Sequence, residues 1–119
     1  MTGFTIKHLS DFERPFPKWA LARRSLGLQS FGMNVVELPP GETIPEHDET
    51  PTDQEEVFII LSGEATMVID GKDHAAPAGT FTRLDPEPQR TVANRSDGDV
   101  TVLIVSAPRT SGYTAPDWA

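Results

Sequence analysis

Hydrophobic positions along the chain fall in short runs, with proline- and glycine-rich breaks between them. From Phe31 to Leu38 the residues follow a period of two, and Pro39-Pro40-Gly41 ends that run. Further strands are predicted at Glu56–Leu61, Ala65–Asp70, Phe81–Leu84, Thr91–Asn94 and Val100–Ser106, with turn signals such as Ser62-Gly63, Asp70-Gly71 and Pro77-Ala78-Gly79 between them. Many short strands joined by such turns are typical of an all-β sandwich or barrel.

A single helix is predicted within this β-rich pattern, at Lys18–Leu26. Trp19, Ala22 and Leu26 fall on one helical face there, and Gly27 is a suitable stop. The candidate is only about two turns long, so it must pack on the sheet to persist.

The chain is predicted to form one domain in three parts. Residues 1–30 are expected to be an N-terminal arm and the short helix, residues 31–108 the β-barrel, and residues 109–119 a C-terminal tail. A length of 119 residues, 37% of them hydrophobic, is enough for one core without disulfide or metal staples.

Composition and charge limit the classes of function. Ten Lys and Arg residues against 18 Asp and Glu give a net charge of -8, which disfavours nucleic acid and anionic membrane surfaces as partners. The chain has no cysteine, which excludes disulfides, thiolate metal sites and cysteine nucleophiles. No secretory signal and no apolar run of membrane-spanning length is found, so we expect a cytoplasmic protein.

Seven of the acidic residues lie between positions 42 and 56, and most of them are expected to form a solvated loop. Within this segment His47 and Glu49 stand two apart in extended chain, so their side chains share one face. Glu56 heads the next predicted strand. One imidazole and two carboxylates that converge on an apolar cavity would suit a divalent metal such as Mn, Fe, Ni or Zn.

This stretch resembles the first conserved motif of the cupin superfamily, in which Gly, five residues and His-x-His precede a Glu that stands before a Gly. The matching residues here are Gly41, His47, Glu49 at the second His position, Glu56 and Gly63. The second cupin motif is matched by Gly71 and Pro77-Ala78-Gly79, and Arg90 to Asn94 stands where that motif ends with His and Asn. The resemblance runs from about Val35 to Val105.

The resemblance implies a small single-domain cupin of the cupin 2, RmlC-like type. Its fold would be all-β, a double-stranded β-helix or cupin jelly-roll barrel with an N-terminal extension and one short helix, and its ligand pocket would lie in the barrel mouth. It also implies a small-molecule ligand and a homodimer. The ligand-binding residues would be Arg90 together with the apolar residues Met33, Phe58, Ile60 and Val92.

Most cupin enzymes hold one divalent metal on three His and one Glu, of which this chain keeps His47 and Glu56. Glu49 in place of His is a harder donor, which favours Mn or Fe. Arg90 in place of His has no lone pair to give a metal, and its natural partner is a carboxylate. Arg90 therefore either pairs with the carboxylates and replaces the metal, or directs its fork at an anionic ligand. The third arrangement is a reduced metal site formed by His47, Glu49 and Glu56. In it, Arg90 does not bind the metal but offsets the negative charge of the ligands from outside the ligand set.

Three functions stay open at this point. The first is a small-molecule-binding cupin with a degenerate metal site and no assigned activity. The second is a metal-dependent enzyme of the oxygenase or isomerase type. The third is a non-catalytic, metal-free structural module.

Overall fold

The computed structural model describes residues 2–119, and β-strands dominate it. The strands are β1 (Glu13–Phe16), β2 (Trp19–Leu21), β3 (Gly32–Leu38), β4 (Gln54–Ser62), β5 (Glu64–Ile69), β6 (Lys72–Pro77), β7 (Phe81–Leu84), β8 (Arg90–Ala93) and β9 (Val100–Pro108). A short 3₁₀ helix covers Leu9–Asp11 and one α-helix, α1, covers Ala22–Leu26. The predicted all-β fold with one short helix is confirmed.

The strands form two antiparallel sheets that face each other. The larger sheet has the order β1-β2-β3-β9-β4-β7, and the smaller one has the order β6-β5-β8. An extended segment continues the smaller sheet past β8, since Thr43 bridges to Ala93 and His47 bridges to Arg90. Two facing sheets with crossed connections are the architecture of a jelly-roll barrel.

The hydrophobic core lies between the two sheets. Phe58 and Ile60 of β4 contribute to it from the larger sheet, and Met67 of β5 and Val92 of β8 contribute from the smaller one. Each of these side chains is 1% exposed or less. Burial of this apolar surface is the main force that holds the sheets together.

The tight β4–β5 turn requires Gly63. Its φ angle is +86°, and a Cβ atom there would lie 2.2 Å from the carbonyl oxygen of Asp99. No side chain fits such a gap, so Gly63 allows β4 to turn back directly beside the start of β9.

The helix is shorter than the sequence predicts. Trp19 belongs to β2, where its Cα pairs with that of Val36, and α1 begins only at Ala22. Pairing with β3 satisfies backbone groups that a two-turn helix would leave open, so the tertiary contact overrides the helical pattern. The predicted stop is present, because Gly27 adopts a left-handed φ of 72° and ends the helix.

Two further details differ from expectation. β6 was not predicted, because only Ala76 in this strand is buried and its polar sequence lacks an apolar face. Met33 was expected to line the barrel, but Val36 and Leu38 are the β3 residues in the core. Met33 lies at the other parity of the strand and therefore on its outer face.

Among residues 2–119, no helix is long and apolar enough to span a membrane.

Candidate functional site

His47 reaches the barrel interior through an irregularity in the extended segment beside β8. Thr43 pairs with Ala93, and regular pairing would then place residue 46 opposite Arg90, but His47 occupies that position. The extra residue shifts the alternation, so Ile44, which is in the core, and His47 can both face inward. Two backbone hydrogen bonds of 2.8 and 3.1 Å hold His47 directly opposite Arg90.

The imidazole of His47 has a defined orientation. Its Nδ1 lies 3.0 Å from the carbonyl oxygen of Pro45. A carbonyl oxygen only accepts, so Nδ1 carries the proton and donates it. In the neutral ring Nε2 then presents a free lone pair, which is how a metal-binding histidine is usually prepared.

Two carboxylates face this lone pair. His47 Nε2 lies 3.7 Å from Glu49 Oε2 and 3.8 Å from Glu56 Oε1. One ligand atom from each of the three residues can be chosen so that all lie within 4.8 Å of one another. Three donors at this spacing, one nitrogen and two oxygens, fit around a single divalent cation, and open positions would remain for a ligand.

Glu56 is the buried member of this group. It is the first buried residue of β4 and alternates with the core residues Phe58 and Ile60, and its side chain is 8% exposed. Burial raises the pKa of Glu56, and the nearby charge of Glu49 raises it further, while Arg90 and His47 act in the opposite direction. A buried carboxylate beside a second carboxylate is a place where a bound cation would be strongly stabilising.

Arg90 supplies positive charge from below the site. Its side chain is fully buried, and its Nη1 donates to Glu56 Oε1 over 3.4 Å. Nη2 donates to the backbone carbonyl of Asp85. Its Nε has no hydrogen-bond partner in the described part of the chain, so the guanidinium is only partly satisfied.

The loops around the site are tied to each other. The backbone N–H of Glu49 donates to the carbonyl of Pro86 over 2.9 Å. Next to it, Asp48 accepts hydrogen bonds from the hydroxyl and the backbone N–H of Thr50, and these bonds lower the pKa of Asp48. Gln89 Nε2 also donates to Asp48, over 2.8 Å.

The structure therefore brings together four of the predicted site residues, namely His47, Glu49, Glu56 and Arg90. The predicted apolar residues Phe58, Ile60 and Val92 lie deeper, in the core. Met33 is away from the group, on the outer face of β3.

Sequence reasoning missed two polar residues that face the interior near the site. Asn34 pairs with Ile104, a core residue, and Ser106 pairs with both Gly32 and Glu56. A Cβ on residue 32 would lie 2.5 Å from the Ser106 hydroxyl oxygen, so the glycine makes room for that group. Alternation carried back from Val36 and Leu38 could have identified Asn34.

Comparisons with known proteins agree with this architecture. A family model described as the cupin domain matches residues 34–106. A cupin protein from Bacteroides fragilis is 27% identical, with a TM-score of 0.79 over 98% of this chain and 96% of that one. No curated protein sequence matches significantly.

Two more distant structures share the fold, each with 21% identity, a TM-score of 0.72 and coverage of 87% of this chain. One is a sugar phosphate isomerase of the cupin superfamily from Silicibacter pomeroyi, of which 75% is covered. The other is a predicted oxalate decarboxylase from Thermotoga maritima, of which 99% is covered. The family model spans more than half of the sequence, and the motif spacing, the two facing sheets and the inward His47 and Glu56 agree with it: the chain belongs to the cupin family.

Proposed function

We propose that this cupin binds a small anionic molecule at the barrel mouth, through one divalent metal held by His47, Glu49 and Glu56. The observation that carries the proposal is the position of His47 Nε2, which lies 3.7 and 3.8 Å from two carboxylate oxygens while Nδ1 is placed to donate to the Pro45 carbonyl. With a neutral imidazole and two ionised carboxylates, these three atoms are all acceptors.

A proton on Nε2 satisfies this arrangement less well than a metal does. Both distances are beyond the 2.7–3.2 Å range typical of N–H···O hydrogen bonds. Ligand atoms that each lie about 2.1 Å from a common ion are separated by roughly 3 to 4 Å, and the two distances from His47 Nε2 lie in that range. The donor set of one nitrogen and two hard oxygens favours Mn or Fe over Ni and Zn.

The charge of the site supports an anionic ligand. A divalent ion together with the Arg90 guanidinium exceeds the charge of the two carboxylates by one unit. Open coordination positions of the metal would attract a carboxylate or phosphate oxygen, and polarise it when bound. Asn34 and Ser106, which face the interior from β3 and β9, are suited to orient the rest of such a ligand by hydrogen bonds.

A metal-free site is the second candidate, and one observation favours it. Arg90 is completely buried and already donates to Glu56. In that arrangement the guanidinium is the permanent counter-ion, and the site serves binding or structure without a metal. Its single contact of 3.4 Å with Glu56 and its unpartnered Nε make this a poorly closed ion pair, which is why we favour the metal.

Metal content decides between the two. Protein purified without chelator or metal-affinity resin is analysed by plasma mass spectrometry and titrated with MnCl₂ in a calorimeter. We expect near-stoichiometric metal in the wild type and its loss in Glu56→Gln, which preserves side-chain shape. Glu46→Gln is the matched control, since Glu46 belongs to the same acidic segment but not to the group of three.

Retention of metal by Glu46→Gln would show that site geometry, and not general acidity, binds the ion. A wild-type protein that takes up none of Mn, Fe, Ni or Zn would overturn the proposal in favour of the Arg90 network.

If metal binds, the anionic ligand is tested by adding inorganic phosphate or malonate to the Mn-loaded protein and following water-proton relaxation. Displacement of bound water by either anion is the expected result.

A further inference from the structure

We infer that Arg109, the first residue after β9, is a positioning residue for the site, because it fastens together the two loops that hold Glu49 and Arg90. These mouth loops are residues 48–53 and residues 85–89. The inference rests on the proposed function, since the site it positions is the one described above.

Arg109 binds the first mouth loop at several points. Its Nε and Nη2 lie 3.2 and 2.7 Å from Asp53 Oδ1, and its backbone N–H donates to the Asp53 carbonyl over 3.1 Å. Asp53 has a φ angle of +51°, a left-handed conformation that is unfavourable for a residue with a side chain. The contacts from Arg109 therefore hold a strained turn in place.

The same guanidinium also reaches the second mouth loop. Its Nη2 lies 3.6 Å from Glu87 Oε2. Arg109 thus lies between two acidic groups from loops that are separate in sequence. Nη2 makes the contacts to both loops, and Nε adds a second bond to Asp53. A planar guanidinium holds these two donors in a fixed geometry that a single ammonium group does not provide.

Both loops are connected to the site through the backbone. The N–H of Glu49 donates to the Pro86 carbonyl, and the Glu49 carbonyl accepts from Thr52 and Gln54 at 3.2 and 3.3 Å. The carbonyl of Asp85 accepts from Arg90 Nη2. A change in the spacing of the two loops would therefore displace Glu49 and the counter-charge Arg90 together.

The placement of Arg109 between the two loops, and not its burial, gives it this effect, since its side chain is 48% exposed. Arg95 and Asp73 form an ion pair of similar exposure, 55% for each side chain, and neither residue belongs to a mouth loop. Arg95→Ala is therefore the matched control for Arg109→Ala. Arg109→Lys keeps the charge but removes the fork.

The first test uses metal-free protein, so its outcome does not depend on metal binding. Hydrogen exchange is measured at the amides of residues 48–54 and 85–90. In Arg109→Ala we expect both segments to exchange on the order of tenfold faster, because local opening becomes easier. We also expect the NMR signal of the buried Arg90 Nε–H to move. Arg109→Lys should lie between wild type and Arg109→Ala, and Arg95→Ala should match wild type.

The second test is the MnCl₂ titration of the same variants, where Arg109→Ala should raise the dissociation constant by roughly tenfold, as loss of a supporting group around a metal site does. Unchanged exchange and an unmoved Arg90 signal in Arg109→Ala would overturn the inference, as would changes of equal size in Arg95→Ala. Unchanged Mn affinity in a wild type that binds Mn would overturn it too. If the wild type binds no metal, the proposed function fails, and the metal-free measurements still decide the role of Arg109.

Discussion

Two layers of the barrel interior are built on the same strands but are stabilised by different forces. The mouth layer consists of His47, Glu49, Glu56, Arg90 and Ser106, and the inner layer consists of Phe58, Ile60, Val92 and Ile104. On β4 and on β8 the charged residue and the apolar one are only two positions apart, which is about 7 Å along a strand.

The difference between the layers shows where this fold separates stability from chemistry. The inner layer is held together by apolar contacts between its own side chains, and Asn34 is the polar residue that faces the interior opposite Ile104. The mouth layer contains Glu56, whose pKa is raised by burial and by the nearby charge of Glu49. It also contains the guanidinium of Arg90, whose Nε has no hydrogen-bond partner in the described residues. Substitutions in the inner layer should therefore change the free energy of unfolding and leave metal affinity unchanged. Substitutions in the mouth layer should change both quantities, and not necessarily in the same direction.

Phe58→Ala should have the largest effect on stability. Phe58 is 0% exposed, and truncation leaves a cavity in a layer that is otherwise packed. We expect the free energy of unfolding to fall by about 4 kcal/mol, measured by urea denaturation of the metal-free protein. Mn affinity of the folded variant should stay close to wild type. A loss below about 1 kcal/mol would mean that the inner layer does not carry the stability assigned to it.

Arg90→Ala comes next. It leaves Glu56 buried beside Glu49 without a counter-charge, and we expect a loss of about 3 kcal/mol in the free energy of unfolding of the metal-free protein. The exposed pair of Arg95 and Asp73 provides the contrast, since Arg95→Ala should cost under about 1 kcal/mol. Equal losses in the two variants would contradict the buried role of Arg90.

The two layers differ in how much of their structure could be predicted from the sequence. The sequence predicted the strands that carry the inner layer, at Glu56–Leu61, Thr91–Asn94 and Val100–Ser106, and the glycine-bearing turns between strands. It assigned Phe58, Ile60 and Val92 to ligand binding, whereas these side chains lie in the core. The outer position of Met33 was missed, since residues at both parities of β3 are apolar and only the core contacts show which face is inside.

The mouth layer was harder to predict because its geometry depends on irregular chain. The sequence indicated that His47, Glu49 and Glu56 could converge. It did not indicate the extra residue between the Thr43 and His47 bridges, or the carbonyl of Asp85 that takes one end of Arg90. Such features arise because loops that are far apart in sequence pack together, so the local periodicity of hydrophobic residues cannot predict them.

Glu49→Gln should separate stability from binding in the mouth layer. Removing this charge takes away a like-charge neighbour of Glu56, so the pKa of Glu56 should fall and the metal-free protein should gain a few tenths of a kcal/mol. Loss of a ligand should at the same time weaken Mn binding by at least roughly tenfold. NMR titration, urea denaturation and calorimetry give the three readouts. A Glu49→Gln variant that loses stability and retains Mn affinity would contradict both the repulsion between Glu49 and Glu56 and the role of Glu49 as a metal ligand.

The smallest effect is expected at an exposed ion pair, where the sign of a pH dependence can be checked. Arg83 Nη1 donates to Asp85 Oδ1 over 2.7 Å, and this bond lowers the pKa of Asp85 below its usual 3.8. A carboxyl whose pKa is lower in the folded state stabilises the protein above its unfolded pKa, and that contribution disappears as the pH falls through the folded value. Arg83→Gln should therefore raise the pKa of Asp85, followed by NMR. Arg83 Nη1 also donates to Glu55 Oε2 over 3.0 Å, so the stability difference from wild type should be small near neutral pH and vanish in acid, where neither carboxyl partner is ionised. A stability difference that grows as the pH falls would show that Asp85 is not stabilised by Arg83. The exposed charges of this protein would then not show the weak, pH-dependent stabilisation that sets them apart from the buried charges of the mouth layer.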